Sequence, residues 1–146
     1  MNQPLSYVHP EAVIADNVVI EPFVSIAKDV KIGEGTWVGP NATIMEGARI
    51  GKNCKVFPGA VISAIPQDLK FKGEKTTVEI GDNTTIRECA TVNRGTASKG
   101  KTTFFDRKTF GCMGGGTGIG FGDQYKDFPI DYFLSTGTKD IKTNVR

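Results

Sequence analysis

The sequence predicts an all-β protein: a parallel β-helix of about five coils, followed by an irregular Gly-rich tail. Three observations predict it. Every sixth residue from the first coil onward is Val or Ile: Val8, Ile14, Ile20, Ile26, Ile32, Val38, Ile44, Ile50, Val56 and Ile62. Four residues after each, through the ninth, stands a small or β-branched residue: Ala12, Val18, Val24, Val30, Thr36, Ala42, Ala48, Cys54 and Ala60. The chain also holds 18 glycines, which suit corners that need unusual φ values. A helix repeats every 3.6 residues and a strand every 2. A period of six instead fits a chain that turns a corner every six residues, the hexapeptide pattern of stacked coils.

Residues 1–7 lead into the first coil. Each hexad then places an aliphatic residue inward and, four residues on, a small one, as in Ile32-Gly33-Glu34-Gly35-Thr36-Trp37. Three hexads make one triangular coil, and coils stack at the strand spacing of roughly 4.8 Å. Asp16-Asn17, Asn41, Asn53 and Asp82-Asn83 suit the corners, because their side chains bond local backbone and tolerate the left-handed region. One coil cannot bury its inward face alone, whereas stacked coils can. The phase resumes at Ile80, Ile86 and Val92, with Thr84, Ala90 and Thr96 at the small positions, so residues 8–97 read as five coils. Between them the pattern breaks, with Asp68 and Glu74 where aliphatic residues should fall. That interruption reads as a loop from about Ile65 to Thr77, carrying Lys70, Lys72 and Lys75. Loops on a rigid scaffold are where function concentrates.

After Lys101 the pattern ends. Phe104 and Phe110 keep the spacing once, and then Gly116 and Gly122 fall in phase. The expected organisation is therefore a β-helix domain over 1–103, with 65–77 looped out, and an atypical tail over 104–146. The stretch GCMGGGTGIGFGD has neither the G-x-G-x-x-G register nor the G-x-x-x-x-G-K pattern of a phosphate loop, and reads as a Gly-rich segment. The apolar cluster 128–134 is suited either to a short strand or to covering the open end of the helix, since unpaired strand edges are usually covered.

Composition narrows the function. Eighteen basic and 16 acidic side chains nearly balance, and no Lys/Arg block offers a nucleic-acid arm. Cys54, Cys89 and Cys112 form no CxxC, which points to buried thiols in a reducing compartment. The opening MNQPLSYVHPEA lacks the charge and apolar core of a signal peptide. No apolar run approaches the length of a membrane span, so a cytoplasmic protein is expected. No cofactor and no metal is expected. A zinc site built from three His is excluded by a chain with one His.

The stretch from Ala64 to Thr96 adds a resemblance. Gln67-Asp68-Leu69-Lys70-Phe71, Ile86-Arg87-Glu88 and Asn93-Arg94-Gly95-Thr96, together with the opening Tyr7-Val8-His9-Pro10, resemble the acyl-carrier-protein-dependent UDP-N-acetylglucosamine O-acyltransferases. The resemblance covers roughly residues 1–103. It implies a left-handed β-helix, homotrimers with sites between subunits, and transfer of a 3-hydroxyacyl chain from acyl carrier protein to the 3-hydroxyl of UDP-N-acetylglucosamine, opening lipid A synthesis. By resemblance Asp68, Lys70 and Gln67 face the substrate. Asp68 would accept from sugar hydroxyls, and Lys70 would offer a mobile positive charge. Arg87 and Arg94 would steady the coil or meet the acidic carrier protein.

The resemblance also implies two later histidines three residues apart, the second a general base near position 118. This chain has Gly118 there and no His after His9. His9, before Pro10, reads as a structural corner residue. The expectation is thus an acyltransferase scaffold without its catalytic base and later coils, inactive as it stands. Two alternatives stay open. One is a non-catalytic, truncated β-helix that binds a sugar nucleotide or only oligomerises. The other is a different hexapeptide acyl- or acetyltransferase acting on a nucleotide sugar.

Overall fold

A computed structural model describes residues 4–97, 101–104 and 109–111. Among the described residues fifteen short strands form five coils in succession. The first coil holds β1 (Tyr7–Val8), β2 (Val13–Ile14) and β3 (Val19–Ile20). The second holds β4 (Ser25–Ile26), β5 (Lys31–Ile32) and β6 (Trp37–Val38), and the third β7 (Thr43–Ile44), β8 (Ala48–Ile50) and β9 (Lys55–Val56). The fourth holds β10 (Val61–Ala64), β11 (Thr77–Ile80) and β12 (Thr85–Ile86), and the fifth β13 (Thr91–Asn93), β14 (Lys101–Phe104) and β15 (Thr109–Phe110). Every third strand pairs in parallel, giving three five-stranded sheets: β1-β4-β7-β10-β13, β2-β5-β8-β11-β14 and β3-β6-β9-β12-β15. The result is a left-handed parallel β-helix.

The inward ladder forms the core. Ile26, Ile44, Ile62 and Val92 stack along the first sheet, Ile20, Val38, Val56 and Ile86 along the third, all buried. The small residues line the interior just before each strand. Thr36 manages its buried hydroxyl by donating to Gly51 O at 2.9 Å and accepting from Cys54 N at 3.1 Å, so it replaces an aliphatic residue without leaving an unpaired group.

From the corner after Ile14, each uninterrupted corner among the described residues has one residue in the left-handed region, three positions after the inward aliphatic. Asn17, Phe23, Asp29, Gly35, Asn41, Gly47, Asn53 and Gly59 follow one another at six-residue steps, and Asn83 and Cys89 continue the series. Asn, Asp and Gly adopt this region readily. Phe23 and Cys89 do not, and both side chains are exposed. The corner geometry therefore imposes the conformation even where the residue type opposes it. Cys89 is consequently an exposed thiol, against the expectation of buried cysteines, whereas Cys54 is buried.

The strand register corrects the coil count along the chain. In regular coils partners lie one turn of 18 residues apart, as in Tyr7 with Ser25 and Thr43 with Val61. Val78, however, pairs with Ala48, and Thr102 pairs with Val78. Twelve extra residues thus enter the fourth turn and six enter the next. Both lengths are multiples of six, so the sequence ladder keeps its phase while the coils do not follow it. Five coils exist, but they run from Tyr7 to Phe110 rather than over 8–97. The loop occupies 65–76, because Thr77 already belongs to β11. Thr96 is half-buried outside any strand, and Thr102 holds the register position expected of it. β14 crosses position 103/104, and β15 pairs with β12 beyond it. Gly116, Gly118, Gly122, Cys112 and the cluster 128–134 lie outside the described residues.

Candidate substrate loop

Both insertions leave the prism at the corner between the first and second sheets, on successive coils. A bulge launches the first. Ser63 takes a φ of 67°, the register shifts between Ile62 and Ala64, and the buried Ser63 hydroxyl donates to Glu46 O at 2.5 Å. Bulges re-aim a strand in this way. Gly47 forms the floor one coil away. Its φ is 86°, and a Cβ there would meet Thr76 O at 2.6 Å and Arg94 Cδ at 3.4 Å, so only glycine leaves room for the returning loop.

The loop tip is a tight turn. Asp68 Oδ1 accepts from Lys70 N at 2.9 Å, and Asp68 O accepts from Phe71 N at 3.0 Å. This turns the chain and leaves Gln67, Asp68 and Lys70 exposed, with Leu69 fully so. Phe71 folds back, half-buried, and the Arg94 guanidinium lies 5.8 Å from its ring centroid. Arg94 N donates to Ala64 O at 2.8 Å. Below, Asp29 receives Arg49 Nη2 at 2.6 Å and lies 3.8 Å from Lys75 Nζ.

Glu74 was legible only as a loop charge, yet it braces its own loop and bonds it to the second insertion. Oε2 accepts from Lys72 N at 2.7 Å and Oε1 from Ala97 N at 2.9 Å. Its own backbone N–H, then that of Lys72, holds the carboxyl below the usual carboxylate range, with Ala97 N–H and the Lys72 charge assisting against desolvation. Around this base, Thr76 Oγ1, Asn93 Oδ1 and Arg94 Nε are buried and have no hydrogen-bond partner among the described residues. Orphaned buried polar atoms are uncommon, and here they gather beneath an exposed loop.

The structure thus brings Gln67, Asp68, Lys70 and Arg94 into one neighbourhood and leaves Arg87 at another corner. Arg87 follows β12 of the third sheet. Its guanidinium sits 4.2 Å from the Phe57 ring centroid, and its Nε donates to Glu88 Oε2 at 2.9 Å. The Glu88 carboxyl is held low by its own backbone N–H and then by Arg87. Trp37 meets Phe57 edge-on at 5.5 Å and donates its Nε1–H to Glu21 at 3.0 Å. His9 is half-buried in the first coil, where its Nδ1 accepts from Glu11 N at 3.1 Å. Among the described residues no group of three or more His, Cys, Asp or Glu could hold a metal, and no helix is long and apolar enough to cross a membrane.

The coils are similar to those of the hexapeptide-repeat transferase class: the bacterial transferase hexapeptide model, of six repeats, matches residues 29–64. Within that class the N-terminal part of the chain is similar to acyl-[acyl-carrier-protein]–UDP-N-acetylglucosamine O-acyltransferases. The enzyme of that name from Xylella fastidiosa is 54% identical over 109 residues, covering 70% of this chain and 41% of the relative. One from Chlorobaculum parvum is 63% identical over 43 residues, 30% of this chain and 16% of the relative. The crystal structure of a UDP-N-acetylglucosamine acyltransferase from Bacteroides fragilis matches with a TM-score of 0.75 and 55% identity, over 76% of this chain and 44% of that one. The chain therefore spans less than half the length of these relatives.

Proposed function

We propose that the chain is the nucleotide-sugar-facing part of an acyltransferase scaffold that takes UDP-N-acetylglucosamine as acceptor and acyl carrier protein as the source of the acyl group, in lipid A biosynthesis. The observation that carries this is the loop: Gln67, Asp68 and Lys70 are presented on a tight turn, in a stretch that resembles such enzymes. The carboxylate suits sugar hydroxyls, and the ammonium suits a diphosphate as a point charge. Unpaired polar atoms of Thr76, Asn93 and Arg94 at the loop base support a polar ligand over an apolar one. A homotrimer in the cytoplasm is part of the same reading. The outward residues of the first sheet, Tyr7, Ser25, Thr43, Val61 and Thr91, are all uncharged, which supports self-association on that face.

Titration of the protein with UDP-N-acetylglucosamine, followed by thermal unfolding, tests the binding. A ligand that binds only the native state raises stability by mass action. We expect an upward shift at millimolar ligand that shrinks for Asp68→Ala. No shift for the wild-type chain would leave a purely structural or oligomerising β-helix.

Turnover is a separate matter. Attack of a sugar hydroxyl on a thioester carbonyl needs a group to take the hydroxyl proton while the carrier thiol leaves. General bases of this kind contribute typically about 10²–10⁴-fold. The single imidazole of the chain is His9, occupied in a first-coil turn. We therefore expect no transfer from 3-hydroxyacyl carrier protein by this chain, and acylated product detected by mass spectrometry would contradict that.

A further inference from the structure

The loop carrying Asp68 and Lys70 is poorly tied to the scaffold by its own backbone. Among the described residues, the one backbone–backbone hydrogen bond within 65–76 is that from Phe71 N to Asp68 O. It belongs to the turn itself and fixes nothing to the prism. The Lys75–Asp29 ion pair is long, 3.8 Å, and the Lys75 side chain is 83% exposed, so it holds the loop weakly. The Arg94–Phe71 contact, at 5.8 Å, sits at the outer limit of a cation–π interaction.

Glu74 differs from these. Its two oxygens take one backbone N–H from each insertion, Lys72 at 2.7 Å and Ala97 at 2.9 Å. Bonds to an ionised carboxylate are roughly twice as strong as neutral ones. The Ala97 partner lies in the segment that follows Arg94, whose own N–H is bonded to Ala64 O at the loop's start. The carboxylate thus closes a ring: from Ala64 out through the loop to Glu74, across to Ala97, and back through Arg94 to Ala64.

We propose that Glu74 is a positioning residue: its carboxylate clasps the 65–76 loop to the segment after Arg94 and so holds Asp68 and Lys70 in the geometry that receives the nucleotide sugar. The proposal rests on the sugar-nucleotide reading above for its ligand, and on the two hydrogen bonds for its mechanism. A loop ordered before binding avoids the ordering cost at the moment of binding. Glutamine in place of Glu74 has one acceptor oxygen and an NH₂ that cannot accept, so it cannot keep both bonds on separate oxygens as they stand and loses the charge.

Two readouts test this on wild type, Glu74→Gln, Asp68→Ala and the double variant. Amide hydrogen exchange reads the clasp without any ligand. Exchange at Lys72, at Ala97 or at both is expected to rise at least about tenfold in Glu74→Gln, with the amides of the core strands unchanged. Unchanged exchange at both positions overturns the clasp. Calorimetric titration with UDP-N-acetylglucosamine reads the positioning. Glu74→Gln is expected to weaken binding about tenfold in the wild-type background and little in the Asp68→Ala background, because residues coupled through one backbone segment are non-additive. Equal losses in both backgrounds overturn the positioning role. If wild-type protein binds no UDP-N-acetylglucosamine, the proposed function fails, and exchange alone decides whether the clasp exists.

Discussion

Gly51→Ala is expected to lower the thermal midpoint on the order of 10 °C, the equivalent of about 2–3 kcal/mol. Gly33, Gly51 and Gly81 occupy the same position after successive strands of the second sheet. A Cβ on Gly33 would lie 2.6 Å from Gly51 C and 2.7 Å from Gly51 O. One on Gly51 would lie 2.8 Å from Gly81 C and from Asp82 N, and would also strike the Asp82 carboxylate. That carboxylate accepts from Lys52 N at 2.7 Å, so it cannot turn away without losing a bond. The obstacle is mostly the backbone of the next coil, held by Gly51 N donating to Ile80 O at 2.8 Å. Relief requires the coils to part locally. Gly73→Ala is the contrast: its φ is 87° with nothing within 4 Å of an added Cβ, so it reports backbone strain alone, whereas Gly51, whose φ lies outside that region, reports the steric conflict. Calorimetric midpoints of the two variants measure the difference. Gly51→Ala unfolding within a degree or two of wild type would refute the close-stacking account.

Ile44→Ala is expected to cost about 2–5 kcal/mol, through lost burial and the cavity left behind. Ile44 is 1% exposed and lies in the middle of the first-sheet ladder, between Ile26 and Ile62. Its neighbours belong to coils pinned by their own hydrogen bonds, such as Met45 N to Ile62 O at 2.8 Å and Ala27 N to Ile44 O at 2.9 Å. They cannot collapse freely into the space. Ile14→Ala, in the first coil and only half-buried, is expected to cost clearly less. Because each coil contacts only its neighbours, a central defect weakens two interfaces and a terminal one weakens one. Denaturant unfolding of both variants separates the cases, and equal losses at the two sites would count against the stacked-coil energetics.

The inward ladder was legible because burial selects one property, apolar bulk, at one spacing. Corners were legible where Asn17, Asn41, Asn53 and Asn83 stood, since those side chains favour the left-handed region that the corner demands. Phe23 and Cys89 sit in the same geometry with no such preference, so their backbone state could be read only from the structure. The insertions were hidden by their lengths. An excursion of 12 or six residues restores the six-residue phase, and a count along the chain cannot tell a hexad on the prism from a hexad thrown off it. The same ambiguity made the ladder seem to end early, before β14 and β15.

The candidate site was partly legible. Asp68 interrupts the aliphatic ladder, and an interruption marks departure from the core. Glu74 interrupts it equally, but its work is to accept backbone N–H groups across two insertions, and that partnership has no spacing rule. Arg87 and Arg94 looked alike in sequence. One hexad of advance carries the chain around a corner, which puts Arg94 under the loop and Arg87 against Phe57, away from it.

The left-handed corner residue every six positions makes the hexad a modular unit, with consequences for how the chain tolerates length changes. Removing one regular coil of 18 residues returns every later strand to its own sheet and shortens the prism without rearranging it. Removing a single hexad from the regular coils before the loop keeps every inward side chain inward. It nevertheless rotates all that follows by one face relative to what precedes, so a hexad lost between Gly47 and Ser63 would bring the loop out over a different edge, away from the floor made by Gly47 and the anchor at Asp29. Fold and site thus answer to different units of length, six residues for the core and 18 for the placement of the loop.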